Sequence, residues 1–318
     1  MNLPMPSARP VILDTDIGSD IDDTWALAAL LRSPELRPLL ITTATGDTRH
    51  RAAIVAKLLE TAGRTDISIG LGPSSGPMAD RFRHQGPWVD SYRLEDFPGT
   101  VHEDGVGAII ETLLRSPEPV TLIAIAPCTN IAAALARAPE IAPKCDLVAM
   151  AGSFRVGYAP GSPPEAETNV RCDVPAFRAL LAAPWRSLCL LPLDVCIDAV
   201  LAGERYARIR ACADPLIRAC MENYRIWARR VDWMTVDYEE TRTSILFDNL
   251  AVTLAYDERY FAFEEIRCLV TEEGLTLDHP DGRPLRAAGA WKDLEGFLDH
   301  LAGRLGACEK FASGKSGP

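Results

Sequence analysis

Apolar residues fall along this chain in two alternating kinds of run. Val11-Ile12-Leu13, Leu39-Leu40-Ile41-Thr42-Thr43, Val120-Thr121-Leu122-Ile123-Ala124-Ile125, Leu147-Val148-Ala149-Met150 and Ser187-Leu188-Cys189-Leu190-Leu191 are short and continuous. Strands buried on both faces read this way. Between them lie longer Ala- and Leu-rich stretches, at 25–31, 52–59 and 131–136, which the same pattern assigns to helices. Strand alternating with helix predicts an α/β fold: an open, mostly parallel, Rossmann-like sheet flanked by helices. A further helix is predicted over 214–237, with Tyr224, Trp227 and Trp233 on it. The character then changes. Ile266-Arg267-Cys268-Leu269-Val270, Leu275-Thr276-Leu277 and the Pro280-Asp281-Gly282 turn suggest a hairpin, and an amphipathic helix follows at 294–305. The reading is one domain, with a core over 10–256, a small C-terminal hairpin and helix appendage over 257–307, and a frayed tail over 308–318.

Composition narrows the function classes. The chain has 318 residues, 47% of them hydrophobic, enough for a substantial core. A run of 18 uncharged apolar residues is lacking, so no membrane span is expected. The net charge of −11 argues against nucleic acid as a partner, because phosphate binding needs clustered Lys and Arg. The first ten residues carry three prolines and no apolar stretch of the secretory kind, which makes the cytoplasm the expected location. Nine cysteines without a Cys-x-x-Cys pair read as small buried hydrophobes.

The chemistry is concentrated just after the first strand. Asp14-Thr15-Asp16-Ile17-Gly18-Ser19-Asp20-Ile21-Asp22-Asp23 packs five carboxylates into ten residues, between a strand and a helix. Ligands of open α/β sheets bind at that end of the strands. So many negative charges repel one another unless a cation neutralises them, and oxygen donors suit hard ions, Ca²⁺ or Mg²⁺. An EF-hand is excluded: counted from Asp14, loop position five is Gly18, position six is Ser19 and position twelve is Trp25. A haloacid-dehalogenase-type phosphatase also starts with a strand and Asp-x-Asp. It wants Thr or Val where this chain has Gly18, and gives no reason for Asp22-Asp23.

The segment resembles the inosine-uridine-preferring nucleoside hydrolases, which carry Asp-x-Asp-x-Gly, an Asp-Asp pair and then a helix with Ala-Leu. Asp14, Asp16, Gly18, Asp22, Asp23 and Ala26-Leu27 match, with a turn two residues longer that leaves Asp20 without a counterpart. Ile41-Thr42-Thr43-Ala44-Thr45-Gly46-Asp47 is similar to the family's second-strand segment ending Gly-Asn. Ala126-Pro127-Cys128-Thr129-Asn130 resembles its Gly-Pro-Leu-Thr-Asn turn, and Met150-Ala151-Gly152 its Met-Gly-Gly. Glu167-Thr168-Asn169 and then Asp173 resemble Glu-Phe-Asn and Asp-Pro. Phe247-Asp248-Asn249-Leu250-Ala251-Val252 resembles His-Asp-Pro-Leu-Ala-Val.

That resemblance implies hydrolysis of the N-glycosidic bond of a nucleoside in a homodimer or homotetramer. It implies Ca²⁺ held by Asp16, Asp23, Asp248 and the main-chain carbonyl of Ile125. Asp16 would also act as general base, Asp22 would grip the ribose 2′-hydroxyl, and Asp14 would orient its neighbours. Glu167, Asn169 and Met150 would line the sugar, with Asp47 and Phe247 elsewhere in the pocket. Phe247 stands where the family has a His near the leaving base and has no proton to give. Gly161 stands near the place of an Asn at the 5′-hydroxyl. Asn130 reads as a cap or turn residue, and His84 and His102 as surface histidines. Two other readings are a Mg²⁺-dependent phosphohydrolase with Asp14 as nucleophile, and a nucleoside-binding homologue with little turnover.

Overall fold

The computed structural model describes residues 8–76, 82–159 and 161–307. The expected alternation is present. The strands are β1 (Arg9–Thr15), β2 (Leu36–Thr43), β3 (Ser68–Leu71), β4 (Val101–His102), β5 (Val120–Ala124), β6 (Cys145–Met150), β7 (Ser187–Leu191), β8 (Phe261–Val270), β9 (Thr276–Asp278) and β10 (Arg283–Trp291). The helices before residue 190 are α1 (Asp22–Leu31), α2 (Thr48–Thr61), α3 (Gly86–Val89), α4 (Gly105–Arg115), α5 (Thr129–Arg137), α6 (Thr168–Arg171) and α7 (Val174–Ala182). After it come α8 (Leu193–Cys196), α9 (Gly203–Ala211), α10 (Pro215–Ala228), α11 (Asn249–Leu254) and α12 (Leu294–Gly306).

All ten strands form one sheet, in the order β4-β3-β2-β1-β5-β6-β7-β10-β8-β9. From β4 to β10 each neighbour pairs in parallel; β8 pairs antiparallel with both β10 and β9. The C-terminal hairpin therefore continues the central sheet through β10, which lies beside β7. The tail over 308–318 lies outside the described residues.

Successive residues of a buried strand point to opposite faces, and β1 serves two cores. Val11 and Leu13 pack with α1, α2, α10 and α11, while Ile12 packs with α4, α5 and α7. Every residue of α1 is buried, consistent with a helix apolar nearly all round. Helix α10 is shorter than the pattern predicts. Its buried stripe, Leu216, Ile217, Cys220, Tyr224 and Trp227, lapses after Ala228, where the positions that would continue it are half-buried Val231 and exposed Met234. Seven of the eight described cysteines are buried, with Cys172 exposed. Among the described residues no helix is long and apolar enough to cross a membrane.

From β1 the chain builds outward through β2 and β3 to β4, then returns to the other flank of β1 as β5. That reversal is a topological switch point, where the strand ends of an open sheet leave a crevice. The acidic turn leaves β1 there.

Candidate active site

Asp14 is the last inward residue of β1 on the α5 face, and each of its neighbours there is supplied by another element. Its Oδ1 accepts from Thr42 Oγ1 of β2 at 2.6 Å and from Asn130 Nδ2 of α5 at 2.7 Å. Asn130 also donates to the Thr43 carbonyl at 3.1 Å. The approach is close enough that Gly72 has no room for a side chain: a Cβ there would lie 2.1 Å from Asn130 Oδ1. Asn130 is thus no cap. It holds Asp14, a role its place after a turn concealed. Asp14 Oδ2 is buried without a hydrogen-bond partner. Burial raises the Asp14 carboxyl to about 7.

Thr15 points to the other face and donates its hydroxyl to Asp23, in the first turn of α1. Asp22, beside it, and Asp248, at the start of α11, complete a group whose carboxylate oxygens lie within 4.8 Å of one another. All three are buried. Asp248 sits at an N-cap position but makes no capping hydrogen bond, so its carboxylate is not spent on the helix. It is hydrogen-bonded to Asp22 instead. Two carboxyls bonded to each other share a proton between them, because like charges at this distance resist ionising together. Burial first raises all three well above the usual carboxylate range; repulsion from Asp20 and Asp23 adds to it at Asp22, repulsion from Asp22 and Asp23 at Asp248, and repulsion from Asp16 at Asp23. A buried all-oxygen set of three converging carboxylates fits a hard divalent cation, which would supply the positive charge that burial withholds.

Of the residues implied as metal ligands, Asp23 and Asp248 lie in this group and Asp22 is its third member. Asp16 lies beside it, half-buried, with Oδ2 at 3.8 Å from Arg51 Nη2. Its carboxyl is raised by burial and lowered in part by Arg51. Ile125 follows β5, and its N–H donates to the Asp14 carbonyl at 2.9 Å, which places that peptide at the same strand ends. Asp20 caps its neighbour, accepting from Ile21 N at 2.7 Å, while its carbonyl accepts from buried Gln85.

The far wall comes from β6 and α6. Glu167 caps α6, accepting from Asn169 N at 2.7 Å, Val170 N at 3.2 Å and Gly152 N at 3.1 Å. Burial still raises it to about 7. Asn169 donates Nδ2 to the Met150 carbonyl at 3.1 Å, fixing Met150 at the end of β6. Gly161 is at a positive-φ turn with open space around it. The polar side chain next to Glu167 is that of Tyr158, whose hydroxyl lies 3.5 Å from Oε1 and whose ring meets Phe247 edge-on at 6.0 Å. Its sole sequence signal was an aromatic in a Gly- and Pro-rich loop.

The remaining candidates fall elsewhere. His84 is buried rather than on the surface: its Nδ1 is 2.6 Å from the Ser19 carbonyl and its ring lies edge-on to Trp233 at 4.8 Å. His102 is half-buried at β4. Asp47 caps α2 through His50 N at 3.0 Å. Trp88, Tyr224 and Trp227 are core residues, whereas Trp233 is 49% exposed.

Comparison with known proteins identifies the family. The family model described as inosine-uridine preferring nucleoside hydrolase matches residues 11–290. The chain is 32% identical over 227 residues to a pyrimidine-specific ribonucleoside hydrolase of a Shewanella species, covering 68% of each. It is 32% identical over 237 residues to a non-specific ribonucleoside hydrolase of Salmonella paratyphi B, covering 71% of this chain and 75% of that one. Among solved structures, a plant nucleoside hydrolase superimposes with a TM-score of 0.77 at 22% identity, covering 94% of this chain and 99% of the other. With that likeness of fold added to the sequence match, the chain belongs to the inosine-uridine-preferring nucleoside hydrolase family and is a hydrolase acting on N-glycosyl bonds.

Proposed function

We propose that this protein hydrolyses ribonucleosides to ribose and free base with the help of Ca²⁺ held by Asp22, Asp23 and Asp248. The observation that carries the reading is the convergence of those three buried carboxylates at the switch point, two of them sharing a hydrogen bond. A bound divalent cation lowers the pKa of water in its shell and orients sugar hydroxyls. Calcium suits the set because it accepts six to eight oxygens in flexible geometry, leaving room for the Ile125 carbonyl and for substrate.

The protein's own residues do the rest. Asp16, beside the group and next to a fixed guanidinium, takes the proton of the water that attacks the anomeric carbon. Asp22 faces the 2′-hydroxyl from the edge of the cation site. Asn169 and Met150 bound the sugar, and Asp14, held by Thr42 and Asn130, stands behind Asp16. Glu167 has three backbone donors on its carboxylate and shapes the wall, with the Tyr158 hydroxyl beside it. The leaving base needs a rim. The edge-on pair of Phe247 and Tyr158 would supply one part of it, and the pair of His84, held on the acidic turn through the Ser19 carbonyl, and exposed Trp233 another. Aromatic faces of this kind stack on a nucleobase of either class. The family likeness carries with it a homodimeric or homotetrameric assembly, which light scattering would read.

A panel of purine and pyrimidine ribonucleosides and their 2′-deoxy analogues tests the reading, assayed for reducing sugar with and without a chelator. Ribose release that the chelator abolishes and Ca²⁺ restores, with the 2′-deoxy substrates cleaved far more slowly, is the expected result. Undiminished cleavage in the chelator would overturn it.

A further inference from the structure

One buried cation braces the acidic turn from beneath. Arg51 lies in the second turn of α2 and is 3% exposed. Its Nε donates to the Thr45 carbonyl at 2.9 Å, Nη1 to the Ile17 carbonyl at 2.9 Å and Nη2 to Ser19 Oγ at 3.0 Å. Nη2 also stands 3.8 Å from Asp16 Oδ2. The guanidinium thereby joins two turns that leave neighbouring parallel strands, one after β1 and one after β2.

The turn after β2 is strained, and the turn after β1 uses a conformation that only glycine adopts freely. Thr45, at φ +61°, is the one non-glycine residue with positive φ among the described residues, and Gly18 has φ +112°. A backbone held in such a conformation costs of order 1–3 kcal/mol for a non-glycine residue and persists where its surroundings over-determine it. Arg51 is the over-determining contact, since it accepts nothing and its planar fork fixes several acceptors in one geometry. Helix α2 also presses on the turn directly: a Cβ on Gly18 would lie 2.8 Å from Ile54 Cδ1. This is the turn that is two residues longer than the common family form, and a longer connection has more freedom to lose.

We propose that Arg51 is a positioning residue for the reaction: its forked guanidinium sets the Ile17-to-Asp20 turn, and through it the placement of Asp16 against the Asp22, Asp23 and Asp248 carboxylates. The activity arm of the test rests on the proposed ribonucleoside reaction; the cation-affinity arm rests only on the proposed cation site. A role in placement and a role as mere positive charge predict opposite signs. As a charge alone, Arg51 repels a divalent cation, so Arg51→Met would bind Ca²⁺ more tightly and Arg51→Lys would change nothing. As a placement device, the fork matters, and both variants loosen the site.

The experiment measures Ca²⁺ affinity by calorimetry, kcat and KM on the best ribonucleoside, and the unfolding midpoint, for wild type, Arg51→Lys and Arg51→Met. The expected result is a Ca²⁺ Kd raised about tenfold in both variants, and kcat lowered on the order of 100-fold with KM little moved, since small misplacements of a reacting group have effects of that size. In a further variant, Arg51→Ala, free guanidinium at millimolar concentration should restore part of the kcat while leaving wild type unaffected, and no rescue would count against the forked-cation role. Tighter or unchanged Ca²⁺ binding in Arg51→Lys and Arg51→Met would overturn the proposal. So would kcat per folded molecule within about twofold of wild type. A wild type that binds Ca²⁺ yet releases no ribose would count against the proposed reaction while leaving the affinity comparison to decide the role of Arg51.

Discussion

Asn130 donates its side-chain amide to Asp14 at 2.7 Å although 116 residues separate them, joining the start of α5 to the end of β1. The bond is fully buried, and a second one to the Thr43 carbonyl draws β2 into the same knot. Asn130→Ala should cost about 1–3 kcal/mol of stability, the usual penalty for leaving buried partners unsatisfied. Urea unfolding reads this directly. Gly72→Ala, which would push a methyl into the same amide, should be destabilising as well.

Asp248→Asn separates stability from cation response. Without a cation, removing one of three mutually repelling buried carboxylates should leave the variant as stable as wild type or more so. With excess Ca²⁺ the order should invert, because wild type gains RT ln(1 + [L]/Kd), about 2.7 kcal/mol at a hundredfold excess over Kd, and the variant gains little. Thermal melts with Ca²⁺ and with a chelator give all four values. A variant whose melting point still rises with Ca²⁺ as far as wild type would place the ion elsewhere.

The pH dependence has a definite sign. Burial lifts Asp14 from 3.8 to about 7 and Glu167 from 4.5 to about 7. In that range the folded chain keeps protons that the unfolded chain has released. Their contribution is complete below about pH 4 and is lost as the pH rises through 7. The cation-free protein should therefore be less stable at pH 8 than at pH 5.5, with respect to these two groups. Ca²⁺ needs the carboxylates ionised, so binding near pH 6 should release protons. Calorimetry in buffers of different ionisation enthalpy measures that release.

Phe247 has its ring edge against Tyr158 and no proton to transfer. Phe247→Ala should raise KM for ribonucleosides more than it lowers kcat, since what is lost is contact made equally to ground and transition states. Phe247→His should raise kcat selectively for substrates with poorly departing bases, by offering a general acid. Steady-state kinetics across bases of graded leaving ability would show it, and a uniform effect on all bases would count against a leaving-group role for this position.

The strands and helices that carry the site were legible because β1, β2, β5, β6 and β7 are continuous apolar runs buried on both faces. Strands β3 and β4 were not: four and two residues leave no period to read. The acids were legible from their density, and Asp248 from its place in a motif. Which of the clustered acids come within reach of Asp248 was not, because spacing along the turn and the first turn of α1 does not say which carboxylates converge. Arg51, Tyr158 and the role of Asn130 were hidden for a different reason. Each acts through a long-range contact, and an arginine on a helix, a tyrosine in a loop or an asparagine after a turn carries no local sign of its partner.

The sheet order has a consequence for the timing of assembly. Asp22 and Asp23 leave the ribosome with the first tenth of the chain, but Asp248 follows only after β7 and α10 have been made. A nascent chain therefore carries half a cation site for most of its synthesis, with nothing opposite it. On the proposed reading the ion cannot template the first half of the fold; its three carboxylates come together only once α11 is made, with β8, β9, β10 and α12 still to close the core.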